Sequence, residues 1–339
     1  MPHSRLLTFD DPYAYQAAVR AAEVELLVTG KGRFDAELAQ IDLDHLWMQQ
    51  GYDSLPRLAR SANDPGRAAI EFASGWSESP VQLDGTEVSA GELVVDGLGS
   101  VTRERSTGPH RWSAMSLTPE DLAVAGKAIA GRELIASGDT HVVKPPEAQM
   151  SRLMTLHECV AQLAKTAPDI LALPSIAKAL EQQLVHAMVW CLAGDMPAGT
   201  RPHAGQRLKV IAKFEDFLAA RQYEPAYLAE ICRAIGVSER TLRTCCHEYF
   251  GMGPMHYLWL RRMHLARRAL LGADPQTTTV TTVATDYGFW ELGRFSVDYR
   301  MLFGELPSAS LRRPAEQVRH ARTRNEPVAS RRGTSLRSG

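Results

Sequence analysis

Leu228-Ala-Glu-Ile-Cys-Arg-Ala-Ile-Gly-Val-Ser-Glu-Arg-Thr-Leu-Arg243 has a counterpart later in the chain, and that repetition decides the fold of the C-terminal region. An offset of 52 residues pairs Leu228, Ile231, Cys232, Ile235, Gly236 and Val237 with Val280, Val283, Ala284, Tyr287, Gly288 and Phe289. One more residue in the turn then pairs Leu242, Cys246, Phe250, Gly251, Pro254 and Leu258 with Phe295, Tyr299, Phe303, Gly304, Pro307 and Leu311. Each copy reads as a short helix, a Gly-centred turn, a second helix and a Phe-Gly stop followed by Pro, which is a helix-turn-helix with its cap. The two copies fall at about 225–250 and 279–303.

Between them, Tyr257 to Leu271 contains no Gly or Pro, so a single helix from Pro254 is expected. Eighteen residues at 1.5 Å each span about 27 Å. That spacing suits two heads about one DNA turn, some 34 Å, apart on one face of a duplex.

Outward from this region the texture changes. Upstream lies a linker, 196–205, rich in Gly and Pro, and before it a helical hairpin over 146–195. Its first helix, from Gln149 to Ala167, places Met150, Leu153, Met154, His157, Val160, Ala161 and Ala164 on one stripe. Its second, Ile176 to Leu192, places Ile176, Leu180, Leu184, Ala187 and Cys191 on another. Val185, Met188, Val189 and Trp190 widen the second stripe beyond what one partner needs, so Leu180, Leu184 and Met188 are expected to meet a second subunit.

The remaining part, 1–145, is β-rich from Phe34 to Leu117. Runs such as Ala36-Glu-Leu-Ala-Gln-Ile-Asp-Leu43 and Ala69-Ile-Glu-Phe-Ala73 are separated by Asn63-Asp-Pro-Gly, Leu83-Asp-Gly-Thr and Ser106-Thr-Gly-Pro. An antiparallel sandwich or a cupin-like barrel is expected. Thr118-Pro-Glu-Asp121 then opens a helix, with an N-cap Thr, Pro at the first position and an acid three residues after the cap. The whole is an α+β chain: a β-rich domain with a helical hairpin, then an all-α domain over 206–312.

Charge divides along the same line. Residues 1–205 carry 17 basic and 26 acidic side chains, whereas 206–339 carry 21 and 13. A basic C-terminal part fits a polyanionic partner. The tail from Arg313, with seven Arg and two Glu, is expected to be disordered and to add non-specific attraction. Met1 to Arg5 lacks a basic-then-apolar leader and Val185 to Ala193 is too short to cross a bilayer, so a cytoplasmic protein without a membrane partner is expected.

Taken together, these residues are similar to the DNA-binding region of AraC/XylS-type transcription regulators. The resemblance rests on the quoted stretch, Tyr249-Phe-Gly-Met-Gly-Pro-Met-His-Tyr-Leu258, Val283-Ala-Thr-Asp-Tyr-Gly-Phe289 and Phe303-Gly-Glu-Leu-Pro-Ser308. It covers residues 206–312 and implies a seven-helix, two-headed reader of double-stranded DNA. Such regulators often precede the reader with a β-rich effector domain and a helical dimerisation element. A homodimer, a small-molecule effector and contact with RNA polymerase are thereby implied.

The resemblance places the first recognition helix after Ser238, whose side chain suits an N-cap and whose hydroxyl reaches a phosphate. With Leu242 and Cys246 facing the core, Arg240, Arg243, Thr244 and His247 are left toward the groove. Arg240 and Arg243 are expected to read bases, since guanidinium bonds guanine O6 and N7 in parallel. The second head departs from the family, because its recognition helix opens Trp290-Glu-Leu-Gly-Arg-Phe-Ser-Val-Asp-Tyr299. Val297 stands where a base-contacting Arg is usual. Trp290, Arg294 and Ser296 remain as contacts, and a weaker second head is expected.

Other signals point to packing rather than chemistry. Five cysteines without Cys-x-x-Cys spacing support neither disulfides nor a zinc site. Of the vicinal pair, one of Cys245 and Cys246 is expected in the core and the other near the DNA face. His45, His110 and His141 lack the spacing of a metal centre, and neither metal nor cofactor is expected. No nucleophile elbow, phosphate loop or His-Glu-x-x-His is present, so an enzyme is not expected. Trp47, Trp76 and Trp112 are candidates to line an effector pocket. The leading reading is a DNA-binding regulator under small-molecule control, and the alternative is one whose N-terminal domain is a protein-interaction module.

Overall fold

The structure, a computed structural model, describes residues 2–74, 80–194, 205–221, 227–313 and 322–323. The chain opens earlier into β-structure than the sequence texture indicates. Strand β1 (His3–Phe9), helix α1 (Pro12–Ala18) and strand β2 (Ala22–Val28) precede β3 (Ala36–Leu43) and β4 (Leu46–Asp53). Then come β5 (Arg57–Asn63), β6 (Ala68–Ala73), β7 (Val81–Leu83), β8 (Thr86–Val88), β9 (Leu93–Val95), β10 (Val101–Ser106) and β11 (His110–Leu117). Helix α2 (Pro119–Ala130), strand β12 (His141–Val143) and helices α3 (Glu147–Thr166), α4 (Pro168–Leu171) and α5 (Pro174–Ala193) complete this half.

Two antiparallel sheets face each other, as a sandwich was expected to. One runs β12-β9-β6-β11-β4-β3-β1 and continues to β13 (Arg322–Thr323), and the other runs β2-β5-β10-β7-β8. Turn chemistry sorts hairpins from crossovers. Asp84-Gly85 has positive φ at both residues and closes the β7–β8 hairpin, the geometry that Asp-Gly favours. Asn63-Asp-Pro-Gly66 and the Ser106-to-Pro109 turn instead carry the chain from one sheet to the other. Phe9, Tyr15, Leu26, Phe34, Leu38 and Trp112 fill the space between the sheets.

Helices α2, α3 and α5 cover the outer face of the larger sheet. Thr118 caps α2, with its Oγ1 accepting from the Asp121 N–H at 3.1 Å and donating to the Asp121 carboxylate. On α3 the expected stripe is buried from Met150 to Ala164, with Met154 only half-buried. The expectation for α5 is overturned. Leu184 and Met188 are both 0% exposed and share one core with Ile41, Met48, Met115 and Leu153, so they present nothing to a second subunit. Leu180 packs half-buried against the same core. The apolar stripe is wide because α5 lies against α2, α3 and the sheet at once.

The described residues from 205 to 313 fold only into helices: α6 (Gly205–Ala220), α7 (Leu228–Ile235), α8 (Glu239–Phe250), α9 (Pro254–Gly272), α10 (Val280–Asp286), α11 (Leu292–Phe303) and α12 (Pro307–Leu311). The repeat is thus α7–α8 and α10–α11, joined by α9 as the Gly- and Pro-free run requires. Gly251 and Gly304 end the second helix of each copy at φ 69° and 73°, a backbone conformation that costs glycine little. Of the tail, Arg322–Thr323 pair with β1 at Leu7 and Thr8, and the rest lies outside the described residues, as does most of the linker.

Candidate nucleic-acid interface and internal cavity

Helix α8 is built to hold one face fixed and offer the other. Ser238 Oγ accepts from the Thr241 N–H at 3.1 Å, which satisfies a helix-end donor and sets where the helix starts. Leu242, Cys245, Cys246, Tyr249 and Phe250 are buried, whereas Arg240, Arg243, Thr244 and His247 are exposed. Neither Arg240 nor Arg243 makes an ion pair among the described residues, and Thr244 Oγ1 donates back to the Arg240 carbonyl at 3.0 Å. The expectation for the vicinal cysteines is corrected: both are buried, because Cys245 packs on the α6 side of the same core. Burial raises both thiols, that of Cys246 to about 12, which leaves them inert as nucleophiles.

Helix α11 differs in its start and its surface. Its N-cap Glu291 makes no side-chain bond to the helix end, unlike Ser238. Trp290 is 78% and Val297 58% exposed, Arg294 is exposed and Ser296 half-buried. Arg294 Nε lies 3.7 Å from the Asp298 carboxylate one turn on, which partly neutralises its charge. The exposed indole and isopropyl make the surface beside Arg294 largely apolar.

The β-rich half contains a cavity of about 1120 Å³ at one end of the sandwich. Glu71, Ala73, Val94, Glu104, His110 and Trp112 form its inner wall, and Glu87, Lys144, Glu147, Met154 and Thr155 lie at its mouth. The three tryptophans are not brought together. Trp112 lines the cavity, made possible by Gly51, where a Cβ would fall 2.2 Å from the indole. Trp47 lies elsewhere, with the Arg67 guanidinium 4.1 Å above its ring, and Trp76 lies outside the described residues.

A polar cluster at the inner wall escaped the sequence reading. Arg57 bonds the Asp53 carboxylate at 3.1 Å and that of Glu104 at 2.8 Å, and His110 Nε2 lies 3.2 Å from Glu104. Burial pushes the Glu104 carboxyl up, but Arg57 and His110 outweigh it and hold it at about 2. Glu71 has no such partner. Burial, reinforced by the Asp96 carboxylate, raises it well above the ordinary range, and burial raises Asp96 to about 7. The only local signal was a glutamate inside the apolar run Ala68 to Ala73.

The two halves also meet through buried charges. Arg267 of α9 bonds Asp11, the N-cap of α1, at 3.1 Å and Glu305 at 2.8 Å. His264 Nε2 lies 2.9 Å from the Val28 carbonyl, and the Tyr13 hydroxyl donates to the His264 carbonyl. On the other sheet Arg103 bonds Glu215 of α6 at 2.5 Å. Leu27 and Leu58 join the apolar core of the helical half.

Residues 231–313 match the family model described as a helix-turn-helix domain. The chain is 32% identical over 146 residues to a probable thc operon regulatory protein of Rhodococcus erythropolis, covering 43% of this chain and 44% of that protein. It is 38% identical over 84 residues to the XylDLEGF operon transcriptional activator 2 of Pseudomonas putida, covering 25% of this chain and 54% of that one. The chain therefore spans about half the length of the curated relatives it matches. Among solved structures, a probable AraC family transcriptional regulator from Rhodopseudomonas palustris CGA009 is 33% identical, covering 31% of this chain and 98% of that chain, with a TM-score of 0.29.

Proposed function

We propose that the chain is a member of the AraC/XylS family of transcription regulators, a sequence-specific DNA-binding regulator whose N-terminal domain answers to a small molecule. The observation that carries the DNA-binding reading is the α8 surface. Arg240, Arg243, Thr244 and His247 stand exposed on one face while the opposite face is locked into the core. Arg240 and Arg243 read base edges, Ser238 and Thr244 approach backbone, and α11 contributes less, through Arg294, Ser296 and apolar contact from Trp290 and Val297. The cavity beside Trp112 is the seat of the effector. As a homodimer the protein would use surface other than Leu184 and Met188, such as the exposed Ile170, Leu173 and Ile176. The chemistry is recognition rather than catalysis.

A base-by-base binding scan of the full chain tests this. Arg243→Ala should cost roughly 1 to 3 kcal/mol and relax preference at one base pair of one half-site. A uniform loss across all sequences would reduce Arg243 to a phosphate contact.

A further inference from the structure

The cavity is chemically one-sided. Its inner wall presents an unpartnered carboxylate, that of Glu71, beside an indole whose donor is already engaged. Trp112 Nε1 donates to the Tyr15 hydroxyl at 2.8 Å, so the indole offers only its ring. His110 Nε2 lies 3.2 Å from the Glu104 carboxylate, and Arg57, behind the wall, is ion-paired with Asp53 and Glu104 while its Nη1 has no hydrogen-bond partner among the described residues. His110 is 4% exposed, lines the cavity, and has an Nδ1 with no hydrogen-bond partner among the described residues. Glu71, inward-facing from β6, makes no hydrogen bond or ion pair among the described residues. The one lysine of the lining, Lys144, is exposed at the mouth beside Glu87 and Glu147.

We propose that the cavity binds an organic cation bearing N–H groups, a primary or secondary ammonium on an apolar or aromatic body. This rests on the reading of the N-terminal domain as small-molecule-controlled and names the ligand class. The ammonium donates to the Glu71 carboxylate, and the ring of Trp112, whose strand pairs with that of Glu71, supports the charge from its face. Burial raises the Glu71 carboxyl, and a cation beside it offsets that effect, so each group lessens the other's penalty for being buried. Ala73, Val94 and Met154 accept the apolar body.

The test uses the full chain and three probes of similar shape: 2-phenylethylamine, 2-phenylethanol and 3-phenylpropanoate, followed by thermal shift and tryptophan fluorescence. The amine should raise the melting temperature, and Glu71→Gln should weaken its binding at least tenfold while the alcohol is unaffected. Met154→Trp, which fills the mouth, should block the amine in a chain whose acidic wall is intact, and so serves if the Glu71 variant fails to fold. Binding of phenylpropanoate or phenylethanol in place of the amine would overturn the cation assignment and leave the small-molecule reading standing. If a broad metabolite panel of every charge type also gives no shift, both fall.

Discussion

His157 and His264 are two imidazoles held neutral by burial, and each sets a limit on stability in acid. His157 projects from the buried face of α3, edge-on to Phe72, and desolvation lowers it to about 4 against a weak bond to the Ala114 carbonyl. His264 is lowered to about 4 in the same way, at the junction of the two halves. Because both bind a proton less readily folded than unfolded, the unfolded chain gains protons first as pH falls from about 6.5 to 4. Stability is complete above that window and lost through it, by up to about 3 kcal/mol for each residue. His157→Met, close in volume, should leave stability at pH 7 nearly unchanged and flatten the acid slope in urea titrations between pH 4.5 and 7.5. An unaltered slope would assign the acid sensitivity to other groups. At Val297 the expected change is in recognition. Val297→Arg should strengthen DNA binding and steepen its salt dependence by about one phosphate equivalent, or add a guanine preference where the new side chain meets a base.

At the scale of elements, what could be read in advance follows from how local the determining physics is. The doubled helix-turn-helix was legible because Gly236, Gly251, Gly288 and Gly304 punctuate it at fixed intervals, and because the helix α9 between the copies contains nothing that breaks a helix. The Thr118 cap and the Asp84-Gly85 hairpin were legible for the same reason. Strands β1 and β2 were not, since Ser4-Arg5 and Glu23-Val-Glu25 read as surface until β3 and β5 supply the other side of the ladder. The stripe of α5 was seen but given the wrong partner: width alone does not say whether a second apolar surface belongs to another chain or to α2. The consequence is testable. Leu184→Glu places a carboxylate in a core with no cation beside it, so the N-terminal domain should unfold or aggregate, where an interface residue would have given soluble monomers. Circular dichroism and light scattering distinguish the two outcomes.

Across the whole molecule, the charge asymmetry of the sequence has two destinations. Part of the basic excess faces outward on α8, but Arg267 and Arg313 are turned to Asp11 and Asp10 of the acidic half. The cations that join the halves are therefore not those exposed on α8. Strand β10 touches both the cavity and the helical half, because its side chains alternate between the two environments. Glu104 points into the cavity wall, whereas Arg103 reaches Glu215 and Arg105 lies so close to the end of α8 that a Cβ on Gly251 would fall 1.8 Å from its Nη1. A shift of β10 when the cavity fills would therefore be felt at α8. The same contacts should make the two halves one cooperative unit, since their interface combines a shared apolar core at Leu27 and Leu58 with buried ion pairs. Arg267→Met leaves Asp11 and Glu305 buried without their cation, at a cost of about 3 to 5 kcal/mol concentrated at the junction. Calorimetry of the wild-type chain should show one transition, and the variant should show two, with the C-terminal half melting first. Two transitions already present in the wild type would mean that the halves fold independently, and the route through β10 would lose its physical basis.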